Sequence, residues 1–143
     1  MYQVSRNIIK DEMRAEEAMQ DAFLSAFEKL DEFQAEVTFG SWLKKIVINK
    51  SLDYLKKDKM YVNTESSDNL SILDEIEEID LSEKIEEVKK AMNALPENYR
   101  IILSLYYLEG YDYEEISEIL GMSYSNSRVM LNRAKNKLIT LLN

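Results

Sequence analysis

The chain has 143 residues, 45% of them apolar, and a formal net charge of −9. That length holds one ordinary domain or two small ones of about 60 residues, each at the margin of self-sufficiency. Cysteine and histidine are absent and glycine occurs three times. Those absences remove thiolate chemistry, disulfides, the commonest general base and metal ligand, and phosphate-cradling glycine loops.

No apolar run approaches the roughly 18 residues of a membrane span, and no secretory signal follows Met1. No catalytic group, metal or cofactor is expected, and no membrane insertion.

The acidity is local. Residues 1–60 and 83–143 each carry a net −1, whereas residues 61–82 carry seven acids and no base. Inside the near-neutral flanks lie two cationic islands, residues 44–57 and residues 123–143, each with a net +4. A single island reads as a solvated helix face. Two of them in two units of one acidic chain suggest two contacts to a polyanion.

Helical periodicity runs nearly throughout, so the fold is expected to be all-α. Over residues 14–30 an apolar stripe of Ala15, Ala18, Met19, Ala22, Phe23, Ala26, Phe27 and Leu30 faces inward. Glu16, Glu17, Gln20, Asp21, Leu24 and Glu28 lie opposite. An acidic outer face usually serves solubility, but Leu24 among the acids is the mixture of a protein contact.

Residues 31–40 read as a loop interrupted by Gly40, and a second helix as running from Ser41 to Lys57. It turns Trp42, Leu43, Ile46, Val47, Tyr54 and Leu55 inward, with its lysines and Asn49 outward. Phe33, Phe39 and Trp42 beside lysines could stack the bases of a melted strand, although singly each suits a core. Residues 58–82 read as a linker.

Helix resumes at Ser82 and runs through Ile85, Val88 and Met92 to Leu95. Pro96 fits the first turn of the next helix, about 97–109, which is apolar almost all round and ends at Gly110. Residues 112–138 then show a short helix capped by Asp112, a turn at Gly121, and a longer helix capped by Ser123. On the longer helix Ser127, Leu131, Ala134 and Leu138 form the inward stripe. Ser125, Val129, Asn132, Arg133 and Asn136 fall opposite, with Arg128 on a flank. Helix, glycine turn, helix is the helix-turn-helix arrangement, though a plain helical hairpin has the same outline.

These segments resemble bacterial RNA polymerase sigma factors of the extracytoplasmic-function type. AEEAMQDAFLSAFEKLDEF followed by FGSWLKKIVINKSLDYLKK is similar to that family's region two. ALPENYRIILSLYYLEGYDYEEISEILGMSYSNSRVMLNRAKNKL is similar to region four. The resemblance implies two small helical domains, residues 1–60 and 83–143, joined by an acidic linker at 61–82, the second containing the helix-turn-helix.

It also implies roles. Glu16, Glu17, Gln20, Asp21 and Leu24 would dock on core RNA polymerase. Phe33, Phe39, Trp42, Lys44, Lys45, Asn49, Asp53, Lys56 and Lys57 would engage the promoter −10 element, with a flipped base captured by the loop from Phe33 to Gly40. Tyr124, Ser125, Asn126, Arg128, Val129, Asn132, Arg133 and Lys135 would read the −35 element as duplex DNA.

The partners so implied are core polymerase, promoter DNA and an anti-sigma protein, in the cytoplasm. Three departures accompany the resemblance. MYQVSRNII looks like only the tail of the family's opening helix. Met130 stands where a base is common, and Ser127 replaces a small aliphatic residue, a small expected loss of packing. The rival readings are a free-standing helix-turn-helix regulator of duplex operators and a protein-binding helical adaptor.

Overall fold

The computed structural model describes residues 1–34, 36–61 and 81–143, with side chains for 1–34, 36–58 and 84–143. Most of the acidic stretch expected as a linker lies outside the described residues. All regular structure among the described residues is helical, in two compact units, Met1–Glu65 and Ser66–Asn143.

The first unit consists of α1 (Tyr2–Ile8), α2 (Glu12–Glu28), a single 3-10 turn (Leu30–Glu32) and α3 (Phe39–Tyr61). Asp11 starts α2 by accepting from the Arg14 amide at 3.1 Å, satisfying one donor that a helix start leaves open. Ala15, Ala18, Ala22 and Ala26 are all buried. Four small residues on one line let α3 pack close against α2.

That line also explains a departure from expectation. Phe27 is 75% exposed and Leu30 48%, because the alanine ladder centres the buried face and each falls outside it. Ile8 and Ile9 of the opening segment join Val47, Ile48 and Tyr54 in the core. The buried Ser5 hydroxyl lies 2.9 Å from the Ala15 carbonyl and 3.0 Å from Ser51 Oγ, which itself reaches the Val47 carbonyl at 2.7 Å. The buried hydroxyls are thereby satisfied and tie all three helices together.

α3 starts two residues before the expected Ser41. Thr38 Oγ1 accepts from the Ser41 amide at 3.1 Å, so Gly40 sits inside the first turn rather than breaking the helix. At the other end α3 runs past Lys57, and Asp58 there is bonded to Arg14 of α2.

The second unit contains α4 (Leu81–Ala94), α5 (Glu97–Leu103) continuing as a π-turn (Ser104–Leu108), α6 (Tyr113–Leu120) and α7 (Tyr124–Leu142). Ile101 to Leu105 are all buried, as are Ala91, Leu95, Ile116, Leu131 and Ala134, and α7 packs against α4, α5 and α6. Among the described side chains of α4 only Ala91 is buried, with Leu95 just beyond its end, and Ile85 and Val88 remain 50% and 41% exposed.

Pro96 precedes the first residue of α5 as its cap rather than entering the first turn. Ser104 Oγ donates to the Arg100 carbonyl at 2.8 Å, and the Glu109 amide reaches back to Ser104 at 3.0 Å. This wider ladder ends the helix at Gly110, whose φ is +75°.

Asp112 and Glu115 form a reciprocal capping box at 2.8 and 3.2 Å, which starts α6. Gly121 ends it in the left-handed region at φ 67°, ψ 37°. Two residues on, Ser123 caps α7 by accepting from the Asn126 amide at 3.1 Å. Helix, left-handed glycine and capped helix form the turn read from the sequence.

Candidate polymerase and nucleic-acid interfaces

On α2, the ladder of alanines turns Glu16, Glu17, Gln20 and Leu24 outward, and Asp21 lies half-buried at the edge. Leu24 is 62% exposed. Phe27, three residues further, extends the same outward strip, and the sequence reading missed it by placing it inside. The all-alanine ladder was the available signal, since it defines the buried line without an aromatic. The result is an anionic rim beside exposed apolar groups, a composition that suits a basic, partly apolar protein partner.

Two of these acids are already bonded within the unit. Glu17 Oε2 accepts from Arg14 Nη1 at 2.7 Å, and Asp21 accepts from the Tyr54 hydroxyl. Burial, and then that bond, push the Tyr54 phenol up to about 12. Hydrogen bonding to Asp58 raises Arg14 above the ordinary arginine value. In the second unit, burial lowers Arg100 and raises Tyr111.

At the head of α3, Phe33, Phe39 and Trp42 form a three-ring cluster. Their centroids are 5.2 Å apart for Phe33–Trp42, and 5.7 Å for both Phe33–Phe39 and Phe39–Trp42. Phe39 is exposed and the other two half-buried, so the cluster offers ring faces without being sealed. Lys45, Asn49, Asp53, Lys56 and Lys57 are exposed along the following helix, and Lys44 is half-buried. From Lys45 to Lys56 the helix rises about 16 Å. A stacking platform leading into a cationic helix face is the arrangement used on single-stranded nucleic acid.

On α7, Tyr124, Ser125, Asn126, Arg128, Val129, Asn132, Arg133 and Lys135 are all exposed, while Ser127, Leu131 and Ala134 are buried. The sequence reading of the two faces therefore agrees with the structure. Leu138 is only half-buried, and Leu141 completes the inner stripe. The Arg128 guanidinium lies 5.8 Å from the Tyr113 ring and 6.0 Å from the Tyr124 ring, which are themselves 5.9 Å apart. Small polar groups on the first turn and arginines further along suit base-edge and phosphate contacts in a major groove.

Among the described residues, no group of three or more His, Cys, Asp or Glu could hold a metal ion, and no helix is long and apolar enough to cross a membrane.

The family Sigma-70 region 2 matches residues 1–60, and Sigma-70, region 4 matches residues 85–138. The chain is 32% identical over 146 residues to the ECF RNA polymerase sigma factor SigM of Bacillus subtilis, covering 100% of this chain and 88% of that protein. It is 29% identical over 131 residues to the ECF RNA polymerase sigma-E factor of Escherichia coli K12, covering 83% and 69%.

Among solved structures, it matches the sigma factor RpoE of Bartonella quintana, seen in complex with the anti-sigma factor NepR. The TM-score is 0.70 at 25% identity, over 99% of this chain and 88% of that one. CnrH, solved with the cytosolic domain of CnrY, shares the fold with a TM-score of 0.60 at 23% identity, over 99% and 79%.

Two helical units, a cationic face on each and an anionic, partly apolar strip on the first accompany matches that define a transcription-initiation class of protein. The chain belongs to the ECF family of RNA polymerase sigma factors. It is an alternative sigma factor, directing RNA polymerase to promoters.

Proposed function

We propose that this sigma factor divides its labour by unit, residues 1–60 serving core polymerase and the −10 element and residues 83–143 serving the −35 element. Glu16, Glu17, Gln20, Asp21 and Leu24, with Phe27, dock on the polymerase. The Phe33–Phe39–Trp42 cluster receives a base extruded from the −10 element, and the cationic face of α3 holds the strand. Extrusion costs a few kcal/mol per base, so a ready-made stacking site both selects sequence and favours melting.

The exposed face of α7 reads the −35 element as duplex. The chain contributes no catalytic group, works in the cytoplasm, and has an anti-sigma protein as a further partner; the Bartonella quintana complex supports that last assignment by analogy. The observation that carries the proposal is the ring cluster at 5.2–5.7 Å set directly before a cationic helix.

The test is co-elution of the 143-residue chain with bacterial core RNA polymerase on a sizing column. An Asp21→Lys, Leu24→Lys variant run beside it should fail to co-elute. Co-elution unaffected by that variant removes α2 as the docking surface. Duplex DNA binding at full strength without polymerase would favour the free-standing regulator instead.

A further inference from the structure

Three side chains of α2 and two of α3 form one bonded cluster. The Arg14 guanidinium grips the Asp58 carboxylate with two donors, Nη2 at 2.6 Å from Oδ1 and Nε at 3.2 Å from Oδ2. Its third nitrogen, Nη1, reaches Glu17 Oε2 at 2.7 Å. The same guanidinium stacks 4.4 Å above the Tyr54 ring, and the Tyr54 hydroxyl donates to Asp21. Tyr54 is buried, and Asp58 follows it by one helical turn. Two of the three docking acids of α2, Glu17 and Asp21, are thus held, one by an arginine clasped to α3 and the other by a tyrosine of α3.

Holding has two physical consequences. A carboxylate fixed before its partner arrives loses less side-chain freedom on binding. It also keeps acceptor sites open, because each carboxylate offers about four lone-pair positions and one bond uses one of them. A lone arginine beside the strip would weaken its attraction for a basic partner. Asp58 offsets that cation: Arg14, Glu17, Asp21 and Asp58 are one positive and three negative charges, so the cluster remains anionic.

We propose that Arg14, Tyr54 and Asp58 are positioning residues for polymerase docking, presetting Glu17 and Asp21 while Asp58 keeps the surface anionic. The proposal rests on α2 being the docking surface. These residues touch the partner only through the two acids they hold. Arg14 and Asp58 are 44 positions apart in the chain, so a clasp between them follows from no local pattern.

The test measures the dissociation constant of the full chain for purified bacterial core polymerase, with thermal unfolding of every variant alongside. Tyr54→Phe keeps the ring beneath Arg14 and deletes only the hydroxyl. It should weaken docking about three- to tenfold and add nothing in an Asp21→Ala background, the non-additivity expected of one bonded unit.

Asp58→Asn should weaken docking by about threefold or more at low salt, with the loss shrinking as salt screens the strip. Asp58→Glu should restore most of it. Equal losses from Tyr54→Phe in both backgrounds would assign it a merely structural role and overturn the proposal. Full affinity in both Tyr54→Phe and Asp58→Asn would do the same. Should Asp21→Ala and Leu24→Lys themselves leave docking unchanged, it is the docking surface that fails, and the proposal falls with it.

Discussion

The hydroxyl of Ser127, the first buried residue of α7, donates to the carbonyl of Tyr124 at 2.7 Å and lies 3.4 Å from the Tyr113 carbonyl of α6. A polar side chain at a fully buried position is therefore satisfied within its own helix turn. Its small volume also brings α7 close to the start of α6.

Ser127→Ala is expected to change the stability of the second unit by no more than about 1 kcal/mol, since the hydrogen bond and its desolvation nearly cancel. Ser127→Leu should destabilise by about 1–3 kcal/mol through overpacking. Urea unfolding of the two variants checks the contrast. A large loss in the alanine variant would contradict it.

Gly121 has φ +67° and open space around the position of a Cβ. The cost of a side chain there is purely conformational. Gly121→Ala should cost about 1 kcal/mol and Gly121→Val more, because a branched Cβ tolerates the left-handed region worse. Gly121→Asn should fall below both. Thermal unfolding of the three variants gives the order.

Arg128 and Arg133 are exposed on the proposed −35 surface. For polymerase carrying this sigma factor, each alanine variant should lower the slope of log affinity against log salt by about one if its arginine holds a phosphate. Arg128→Lys should not restore full binding, because a compact ammonium cannot lie beside the Tyr113 and Tyr124 rings and fork to a phosphate as a planar guanidinium does. Filter binding over a salt series on a −35 duplex measures both. A lysine variant equal to wild type would remove the argument from guanidinium shape.

Burial and the bond to Asp21 raise the Tyr54 phenol to about 12 in the folded chain, against an ordinary value of about 10. The folded state thus favours the neutral phenol. Its contribution is complete below about pH 10 and is lost as pH rises from there towards about 12. At about 1.4 kcal/mol per unit, the loss is on the order of 2–3 kcal/mol. Unfolding midpoints of wild type should fall across that window more steeply than those of Tyr54→Phe. Parallel falls would show that Tyr54 titrates as it does in the unfolded chain.

Element order and type were legible because each helix repeats its apolar residues at three and four. The turn at Gly121 was legible because cap, glycine and cap stand in sequence. Phe27 and Leu30 were misplaced for one reason: apolar character was taken to mean burial, whereas alanines at 15, 18, 22 and 26 mark the true contact line. Gly40 was read as a break because the Thr38 cap, which puts it in a first turn, needs the fold to be seen.

The outward face of α7 was legible from angle counting alone. The clasp of Arg14 on Asp58 was not, since neither residue carries a local signal and only the packing of α2 on α3 brings them together. The ring cluster was half legible: its members were named, but their mutual contact depends on the 3-10 turn that folds Phe33 back towards α3.

Trp42 is the one tryptophan of the chain and stands within 5.2 Å of Phe33 and 5.7 Å of Phe39. The molecule therefore carries a built-in optical reporter at the place where strand separation is proposed to begin. A base arriving among those rings would stack on the indole and change its fluorescence, without any label. Opening of a promoter could then be timed by mixing holoenzyme with DNA and watching a single chromophore, provided the tryptophans of core polymerase are subtracted with a Trp42→Phe holoenzyme.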